Sequence, residues 1–564
     1  MRILRVLKIT LPVICMFALF SPFTDGEAMA TTYYVSPAGS DNNSGSASTP
    51  FKTIQKAVNS VVAGDTVMVR AGTYNGSVLL TKSGTTGNYI TLQNYPGENV
   101  YVTTNSGASY AFYGVDISYF KIIGLKIHTY TGYGILFRGG GSHLEIRNNE
   151  IYNKQSATPY EGTAIRVEAT KNVSGVLQFN TYTDVIIDGN YIHDTWSGDA
   201  RYEGELLTVA FDVHRFQITN NILSNAYHIG IDCIGYHTWN GNIVDAYPDG
   251  GIISGNTLTN IGTYAEDSSI YIDGGKNITI ENNTLISNSG AGTGISVSTE
   301  DSTGTTENII IRRNKVRSFV RNTYIGATNG ITKNSRWVHN TFIMDDSDDY
   351  ANASLLNGTG NIVKNNISYA SAGDRQLEHV YNKTYSVTFN YNDWYTGNKW
   401  FGYGGNGLGY TNFANFQAGT GQESNGISLD PKFTDISSNN LTLLSASPCI
   451  DAGGFLTKTT FSGSDQTLVV EDARYFTDGY GVTAGDLIQV GSNGPVRITA
   501  VNYATNTITL ANSISWNKGD GVSYPYSGSA PDIGAYEYDE YGGSSSLPSG
   551  DTTSPAPPII MAIQ

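Results

Sequence analysis

The stretch Ile280-Glu281-Asn282-Asn283-Thr284-Leu285 is one copy of a short pattern that recurs through the middle of this chain. Each copy has an apolar residue, two variable residues, an asparagine, one variable residue and a second apolar residue. The asparagines are Asn149, Asn190, Asn221, Asn256, Asn283, Asn314, Asn340, Asn366 and Asn392, and by subtraction the gaps between them are 41, 31, 35, 27, 31, 26, 26 and 26 residues. This repeat predicts a solenoid, because one repeat cannot bury its own apolar face and must stack on the next. We expect a ladder of asparagines at a tight turn, since asparagine tolerates left-handed backbone angles and its amide can bond both neighbouring rungs.

Each coil is predicted to contain three short strands. In the coil around Asn283 these are Ile270-Tyr271-Ile272, Ile278-Thr279-Ile280 and Thr284-Leu285-Ile286. Three parallel strands per coil are typical of a right-handed single-stranded parallel β-helix, which is an all-β fold.

Alternation along the first strand of each coil separates inward from outward side chains. The expected inward pairs are Ile135 and Phe137, Ile165 and Val167, Ile231 and Cys233, Ile270 and Ile272, and Ile295 and Val297. The expected outward residues are Leu136, Arg138, Arg166, Glu168, Asp232, Tyr271, Asp273, Ser296 and Ser298. Long inserts between the first and second strands, at Ala169 to Thr183 and Gly235 to Gly250, are where a rigid scaffold carries binding residues.

The two ends of the chain differ from the coils. Residues 1–30 predict a secretory signal, with basic Arg2, Arg5 and Lys8, an apolar stretch and the small-residue site Ala28-Met29-Ala30. The apolar stretch has about 15 residues, fewer than the ~20 that a spanning helix needs, so we expect a secreted protein without a membrane span. Further predicted units are a cap module with a helix over the first coil (31–75), the β-helix (76–451), an inserted small β-barrel (452–530), a closing segment (531–540) and a disordered tail (541–564).

Composition excludes some classes of partner. The chain has 49 acidic and 33 basic residues and a net charge of −16, which disfavours binding to nucleic acid. Cys15 leaves with the signal, and Cys233 and Cys449 are too few for a disulfide framework. We expect a monomer whose partner is a polysaccharide.

Motifs at both ends resemble a known group. Tyr33-Tyr34-Val35-Ser36-Pro37, Pro50-Phe51, Gly64-Asp65-Thr66-Val67 and Gly72-Thr73-Tyr74 resemble the N-terminal module of secreted right-handed parallel β-helix proteins, including pectate-lyase-like and alginate-lyase-like polysaccharide lyases. Ser-Pro-Cys-Ile-Asp-Ala-Gly at 447–453 and Asp-Ile-Gly-Ala-Tyr-Glu at 532–537 are similar to the closing motifs of the same group. The resemblance implies the fold, but no catalytic motif of the group transfers to this chain: the Ser-Asp-Asp-Gly-x-x-Asp cluster is absent.

The outward residues and the inserts supply the candidate site. A lyase on a uronate polymer would need a base, for which Arg166, His237 and Lys276 are candidates beside Asp232. Calcium could be held by Glu205, Asp232, Asp273 and Glu300, and substrate by Glu168, Trp239, Tyr247 and Tyr271. Two alternatives stay open, a glycoside hydrolase with paired carboxylates and a protein that binds carbohydrate without cleaving it. Asp273-Gly274-Gly275 could also be only a turn, and Arg166 and Glu168 only a pair between coils.

Overall fold

The computed structural model describes residues 30–538 except for several internal gaps. The gaps are residues 105–108, 154–161, 175, 196–204, 236, 240–241, 263, 265–266, 289, 300–303, 327–329, 346–350, 356–357, 371–374, 380–385, 397–399 and 405–408. The predicted signal and the predicted tail therefore lie outside the described residues.

Three long sheets run along the molecule, and each coil contributes one strand or a pair of short strands to each sheet in turn. Sheet 1 has 13 strands: Val78–Leu80, Tyr110–Val115, Tyr133–Arg138, Ile165–Glu168, Leu207–Ala210, Ile231–Ile234, Ser268–Asp273, Thr293–Ser298, Arg321–Ile325, Ala351–Leu355, Arg375–His379, Trp400–Gly404 and Gly409–Tyr410. Its strands are parallel except for the last pair.

Sheet 2 follows sheet 1 within each coil and has 15 strands: Thr32–Val35, Thr66–Val69, Ile90–Asn94, Phe120–Ile123, Gly141–Arg147, Tyr182–Asp188, Val213–Thr219, Asp249–Ser254, Lys276–Glu281, Thr305–Glu307, Ile310–Arg312, Ile331–Lys333, Arg336–Val338, Thr359–Lys364 and Ser386–Asn390. Sheet 3 completes the coil with 12 strands: Gly72–Asn75, Val100–Thr103, Lys126–His128, Glu150–Tyr152, Tyr191–His193, Ile222–Ala226, Thr257–Ile261, Thr284–Ile286, Lys315–Arg317, Thr341–Met344, Ile367–Ala370 and Asp393–Thr396. The predicted winding of three parallel strands per coil is confirmed.

The asparagine ladder is confirmed over all nine rungs. From Asn190 to Asn392, each side-chain Oδ1 accepts hydrogen bonds of 2.9–3.0 Å from the backbone N–H and the Nδ2 of the rung before it. The first rung, Asn149, accepts from the backbone N–H of Leu125 at 3.0 Å. Each Nδ2 also donates to a backbone carbonyl inside the coil, as Asn283 does to Ile253 at 3.0 Å. The ladder fixes the turn between sheets 2 and 3, because every amide atom of a buried rung is used.

The ladder asparagines themselves were expected to have left-handed backbone angles. This expectation was wrong by one residue. Positive φ falls on the residue immediately before each rung, as at Asn282 (55°), before Asn283, and Gly189 (66°), before Asn190. The rung itself keeps ordinary backbone angles because its side chain, not its φ, is what the turn needs. The left-handed position explains the frequent Asn-Asn and Gly-Asn pairs.

The ladder ends on a glutamate after an unpredicted helix, Phe413–Thr420. Glu423 is buried, and its Oε1 accepts hydrogen bonds from Asn392 Nδ2 at 2.6 Å and from Trp394 Nε1 at 2.7 Å. Its Oε2 accepts from the backbone N–H of Asn392 at 3.3 Å. Glu423 thus occupies the place of a tenth rung. Burial raises its pKa from an ordinary 4.5 to about 7.

We expect Glu423→Gln to flatten the pH dependence of stability. A carboxyl group whose pKa is raised on folding contributes stability that is complete below its unfolded pKa and is lost as pH rises through its folded pKa of about 7. The contribution is on the order of 3 kcal/mol, so the wild type should lose stability between pH 5 and pH 8 and the variant should lose less. Urea unfolding at the two pH values measures this, with the exposed Glu471→Gln as the matched control. Equal losses in the wild type and both variants would contradict the assignment.

The interior confirms the predicted inward residues. All five predicted pairs are at most 1% exposed and belong to one continuous apolar core, which includes Cys233. The helix expected in the cap module is Ile54–Ser60, and Thr53 caps it by accepting a hydrogen bond from Lys56 N. Its buried side chains Ile54, Ala57 and Val58 join the core. Cys233 and Cys449 are both buried and free. No helix among the described residues is long and apolar enough to cross a membrane.

A six-stranded antiparallel sheet follows the coils, with strands Thr457–Lys458, Gly463–Val469, Leu487–Val490, Val496–Asn502, Thr507–Trp516 and Gly521–Ser523. Its first and last strands in spatial order meet at a bridge between Thr459 and Val470. The flanking motifs contact each other, since Asp451 N donates to Asp532 Oδ1 at 2.7 Å and Ile533 N donates to Cys449 O at 3.0 Å. The sheet is docked on sheet 2 by Arg312, which pairs with Glu281 and Asp486.

Candidate functional site

The register of sheet 1 brings the predicted outward residues together on one face. Arg166 aligns with Thr208, Thr208 with Asp232, and Asp232 with Tyr271 on successive strands. A second row, two residues further along each strand, contains Arg138, Glu168, Ala210, Ile234 and Asp273. We call the outward surface of the strands from Tyr133–Arg138 to Ser268–Asp273 the site face. Asp232 and Asp273 lie on neighbouring strands of it.

Four charged groups of the site face are buried although they lie on the outer side of the sheet. Exposure is 8% for Arg166, 3% for Glu168, 4% for Asp232 and 7% for Asp273. Buried ionised groups are costly unless they are paired and hydrogen-bonded. Such a concentration is more typical of a functional site than of a solvated surface.

Arg166 is held between two carboxylates. Its Nε donates to Glu168 Oε2 at 2.9 Å, and one terminal nitrogen lies 3.7 Å from Glu205 Oε2. Burial alone would lower the pKa of Arg166, but the charges of Glu168 and Glu205 raise it above its ordinary value. Arg166 therefore stays protonated, and the arrangement favours a fixed cation over the base that the sequence suggested.

The two carboxylates are anchored as anions. Burial would raise the pKa of Glu168, but Arg166 and Arg138 and the Thr170 hydroxyl lower it. Burial would likewise raise the pKa of Glu205, but Arg166 and His228 lower it, and Glu205 Oε2 accepts from the Thr163 hydroxyl at 3.0 Å. Neither group is suited to donate a proton near neutral pH.

A histidine–aspartate pair that sequence reasoning missed lies beside Glu205. His228 precedes the strand that carries Asp232, and its Nε2 lies 3.7 Å from Asp267 Oδ1. Asp267 is buried, whereas the His228 side chain is 30% exposed. An imidazole that is accessible to substrate and oriented by a carboxylate is a suitable general base.

The remaining predicted residues are more scattered. Lys276 begins a strand of sheet 2, and its Nζ lies 3.7 Å from the ring centroid of Tyr247, so this lysine is at a corner of the coil rather than on the site face. Tyr271 is on the site face next to Asp232. His237 and Trp239 form backbone pairs in a hairpin, but their side chains lie outside the described residues, as does Glu300.

Two hairpins leave the same corner of the coils, between sheets 1 and 2. Thr170–Val173 pairs with Val176–Phe179 after the strand of Arg166, and His237–Trp239 pairs with Asn242–Val244 after the strand of Asp232. They occupy the two inserts that the sequence indicated. The first hairpin is linked to the site face by the bond from Thr170 to Glu168.

Among the predicted calcium ligands, the three that the structure describes, Glu205, Asp232 and Asp273, do not form a coordination shell. Within the described ranges, no group of three or more His, Cys, Asp or Glu side chains could hold a metal ion. Glu205 is engaged by Thr163 and Arg166, and Asp273 is offset from Asp232 by two positions along the strand. Calcium binding stays a prediction, and no chemical step below depends on it.

Comparison with known proteins supports the fold. Residues 33–191 match a family model described as Pel9A-like, right-handed beta helix region, which agrees with the predicted hand of the coils. The uncharacterised protein YwoF of Bacillus subtilis (strain 168) is 28% identical over 446 residues, covering 74% of this chain and 91% of that protein. Pectate lyase PEL9 of Emericella nidulans is 41% identical over 76 residues, covering 13% of this chain and 18% of that protein.

Two solved structures illustrate the structural likeness. The complex of XylC with xylose covers 87% of this chain and 99% of its own, at 13% identity and a TM-score of 0.47. The crystal structure of pectate lyase Pel9A covers 91% and 98%, at 13% identity and a TM-score of 0.34.

Proposed function

We propose that this chain, which carries a Pel9A-like right-handed β-helix region over residues 33–191, is a secreted enzyme that cleaves a uronate-containing polysaccharide by β-elimination. The observation that carries the proposal is the His228–Asp267 pair beside the buried Arg166 cluster on the site face. The matched pectate lyase segment adds support for an acidic polysaccharide. Export rests on the basic, apolar and small-residue pattern of residues 1–30.

In the proposed elimination, the His228–Asp267 pair and the neighbouring residues of the site face have separate roles. His228 takes the C5 proton of the uronate, and the Asp267 carboxylate lies 3.7 Å from its Nε2. The C5–H electron pair forms the C4=C5 double bond, the C4–O4 bond breaks, and the leaving oxygen takes a proton from solvent or from a neighbouring acid. The positive charge of Arg166 offsets the negative charges of Glu168 and Glu205, so an anionic polysaccharide can approach them.

A glycoside hydrolase is the second candidate, and one observation favours it. Asp232 and Asp273 lie on neighbouring parallel strands and are offset by two residues, so strand spacing and rise place their Cα atoms ~8 Å apart. Inverting hydrolases place their two carboxyl groups ~6.5–9.5 Å apart. In this reaction one aspartate would protonate the glycosidic oxygen and the other would activate water. Binding without cleavage is the third possibility, and it needs neither pair.

Incubation of the protein with polygalacturonate and with alginate distinguishes the lyase, the hydrolase and the binding protein. We expect ultraviolet absorbance from an unsaturated uronate at the new non-reducing end. New reducing ends without that absorbance would instead assign the hydrolase, and retention on an affinity gel without products would assign a binding protein. The same assay after chelation tests calcium: activity that is lost with chelator and restored by calcium would support the predicted metal, and unchanged activity would remove it.

A further inference from the structure

An exposed aromatic side chain stands at the base of the first hairpin. Phe179 belongs to this hairpin and is 50% exposed. The far end of the same hairpin carries Val173 and Val176, and Val176 is 64% exposed. Single exposed apolar residues are common on protein surfaces. The position of Phe179 relative to the site face gives it more significance.

Strand register places Phe179 on the same side as the site. Phe179 pairs directly with Thr170, and residues directly opposite each other in an antiparallel pair project from the same face with Cβ atoms ~5 Å apart. The Thr170 hydroxyl donates to Glu168 Oε1. Val176 pairs with Val173 and therefore lies on the opposite face of the hairpin, three residues from Phe179.

A guanidinium with a spare donor lies next to Glu168. Arg138 donates to Glu168 Oε2 at 3.3 Å, and its side chain is 29% exposed. Its Nε–H is buried and has no hydrogen-bond partner within the part of the chain that the structure describes. A buried charged donor without an acceptor is unfavourable, and a carboxylate is the acceptor that fits a guanidinium best, through paired N–H donors.

These contacts form a continuous path. Gly139, the residue after Arg138, donates its N–H to the Thr170 carbonyl at 3.0 Å. The order across neighbouring strands is therefore Arg138, then Glu168 with Thr170, then Phe179. The strand of Asp232 is three strand spacings from that of Arg138, or ~14 Å. Arg138 is thus beside the reacting centre rather than within it.

We propose that Phe179 and Arg138 form a distal sugar-binding subsite for a uronic acid residue of the polymer. The ring of Phe179 packs on the apolar C–H face of the pyranose, and the partly exposed Arg138 guanidinium takes the carboxylate through a terminal N–H group. This inference rests on the proposed function and adds to it a site that selects acidic over neutral chains. A subsite remote from the cleaved bond contributes to binding equally in the ground and transition states, so its loss raises KM with little change in kcat.

The test compares substitutions on the two faces of one hairpin. Oligogalacturonate binding and polygalacturonate cleavage are measured for wild type, Phe179→Ala, Phe179→Trp and the matched control Val176→Ala. We expect Phe179→Ala to raise Kd and KM about tenfold or more without changing kcat, Phe179→Trp to retain binding, and Val176→Ala to match wild type. Arg138→Gln should weaken binding of oligogalacturonate but not of neutral xylooligosaccharides, while Arg138→Lys should retain part of the difference.

The outcomes separate the subsite from the proposed function. If wild type binds and cleaves the polymer and Phe179→Ala behaves as Val176→Ala does, the subsite is overturned and the proposed function stands. If Arg138→Gln affects acidic and neutral oligosaccharides equally, the carboxylate assignment is overturned. If wild type neither binds nor cleaves polygalacturonate or alginate, both proposals fall together.

Discussion

Replacing Asn283 with alanine is expected to lower the free energy of unfolding by about 4 kcal/mol or more. The side chain accepts from Asn256 N and Nδ2 and donates to Ile253 O and Asn314 Oδ1, all at 2.9–3.0 Å. Alanine deletes all four bonds at a fully buried position, and each buried group left without a partner costs about 1–3 kcal/mol. This loss is large against the 5–15 kcal/mol by which domains are usually stable.

Two further variants identify the cause. Asn283→Asp keeps the acceptor oxygen but loses both donated bonds and adds a buried charge, so it should also be strongly destabilised. Thr257→Ala alters an exposed side chain next to the rung Asn256 and should stay within about 0.5 kcal/mol of wild type. Denaturant unfolding followed by circular dichroism measures all three. Asn283→Ala with a stability equal to that of Thr257→Ala would show that the ladder contributes little.

The second large effect concerns turnover. We expect His228→Ala to reduce kcat on the cleaved polymer by about 10²–10⁴-fold, the usual contribution of a general base. The fold should survive, because the His228 side chain is 30% exposed and its ion pair with Asp267 is long, at 3.7 Å. The pH profile gives an independent signature, since the limb that reports protonation of the base should disappear in the variant.

The control for this experiment is a second histidine with the same kind of neighbour. His214 Nε2 lies 2.7 Å from Asp212 Oδ1, but its strand, Val213–Thr219, belongs to sheet 2. His214→Ala should therefore leave kcat and the pH profile unchanged. If the two alanine variants turn over substrate equally well, His228 is not the base, and His237 and Lys276 become the next candidates.

The coils could be predicted from the sequence because the pattern repeats from one coil to the next. The Asn frame and the alternation of Ile135 with Phe137 specify turn and strand without long-range information, because each coil repeats the environment of the last. The same alternation placed Asp232 and Asp273 on one face. The left-handed residue before each rung was missed because residues as different as Gly189 and Arg313 occupy it.

The site residues that were not predicted from the sequence lie mostly in segments outside the regular strands. His228 and Asp267 both precede their strands, outside the residues that the alternation assigned as inward or outward. Phe179 lies in an insert whose pairing depends on the hairpin register. Thr208 belongs to the strand Leu207–Ala210, whose outward residues were not assigned from the sequence. A pattern of conserved polar residues before strands would be the signal for such positions.

In the last coils, the left-handed residue before each ladder asparagine also contacts the C-terminal unit. Arg313, His339 and Tyr391 occupy it with φ values of 55°, 53° and 60°, where earlier coils use asparagine or glycine. Their side chains reach the C-terminal unit: Arg313 stacks on Tyr524 at 4.7 Å, His339 Nδ1 donates to Asp532 O at 3.1 Å, and the Tyr391 ring packs against Gly454. An unfavourable backbone conformation persists only where its surroundings hold it. We therefore expect the final coils and the C-terminal unit to unfold together, so that deleting the C-terminal unit would also destabilise the coils that contact it.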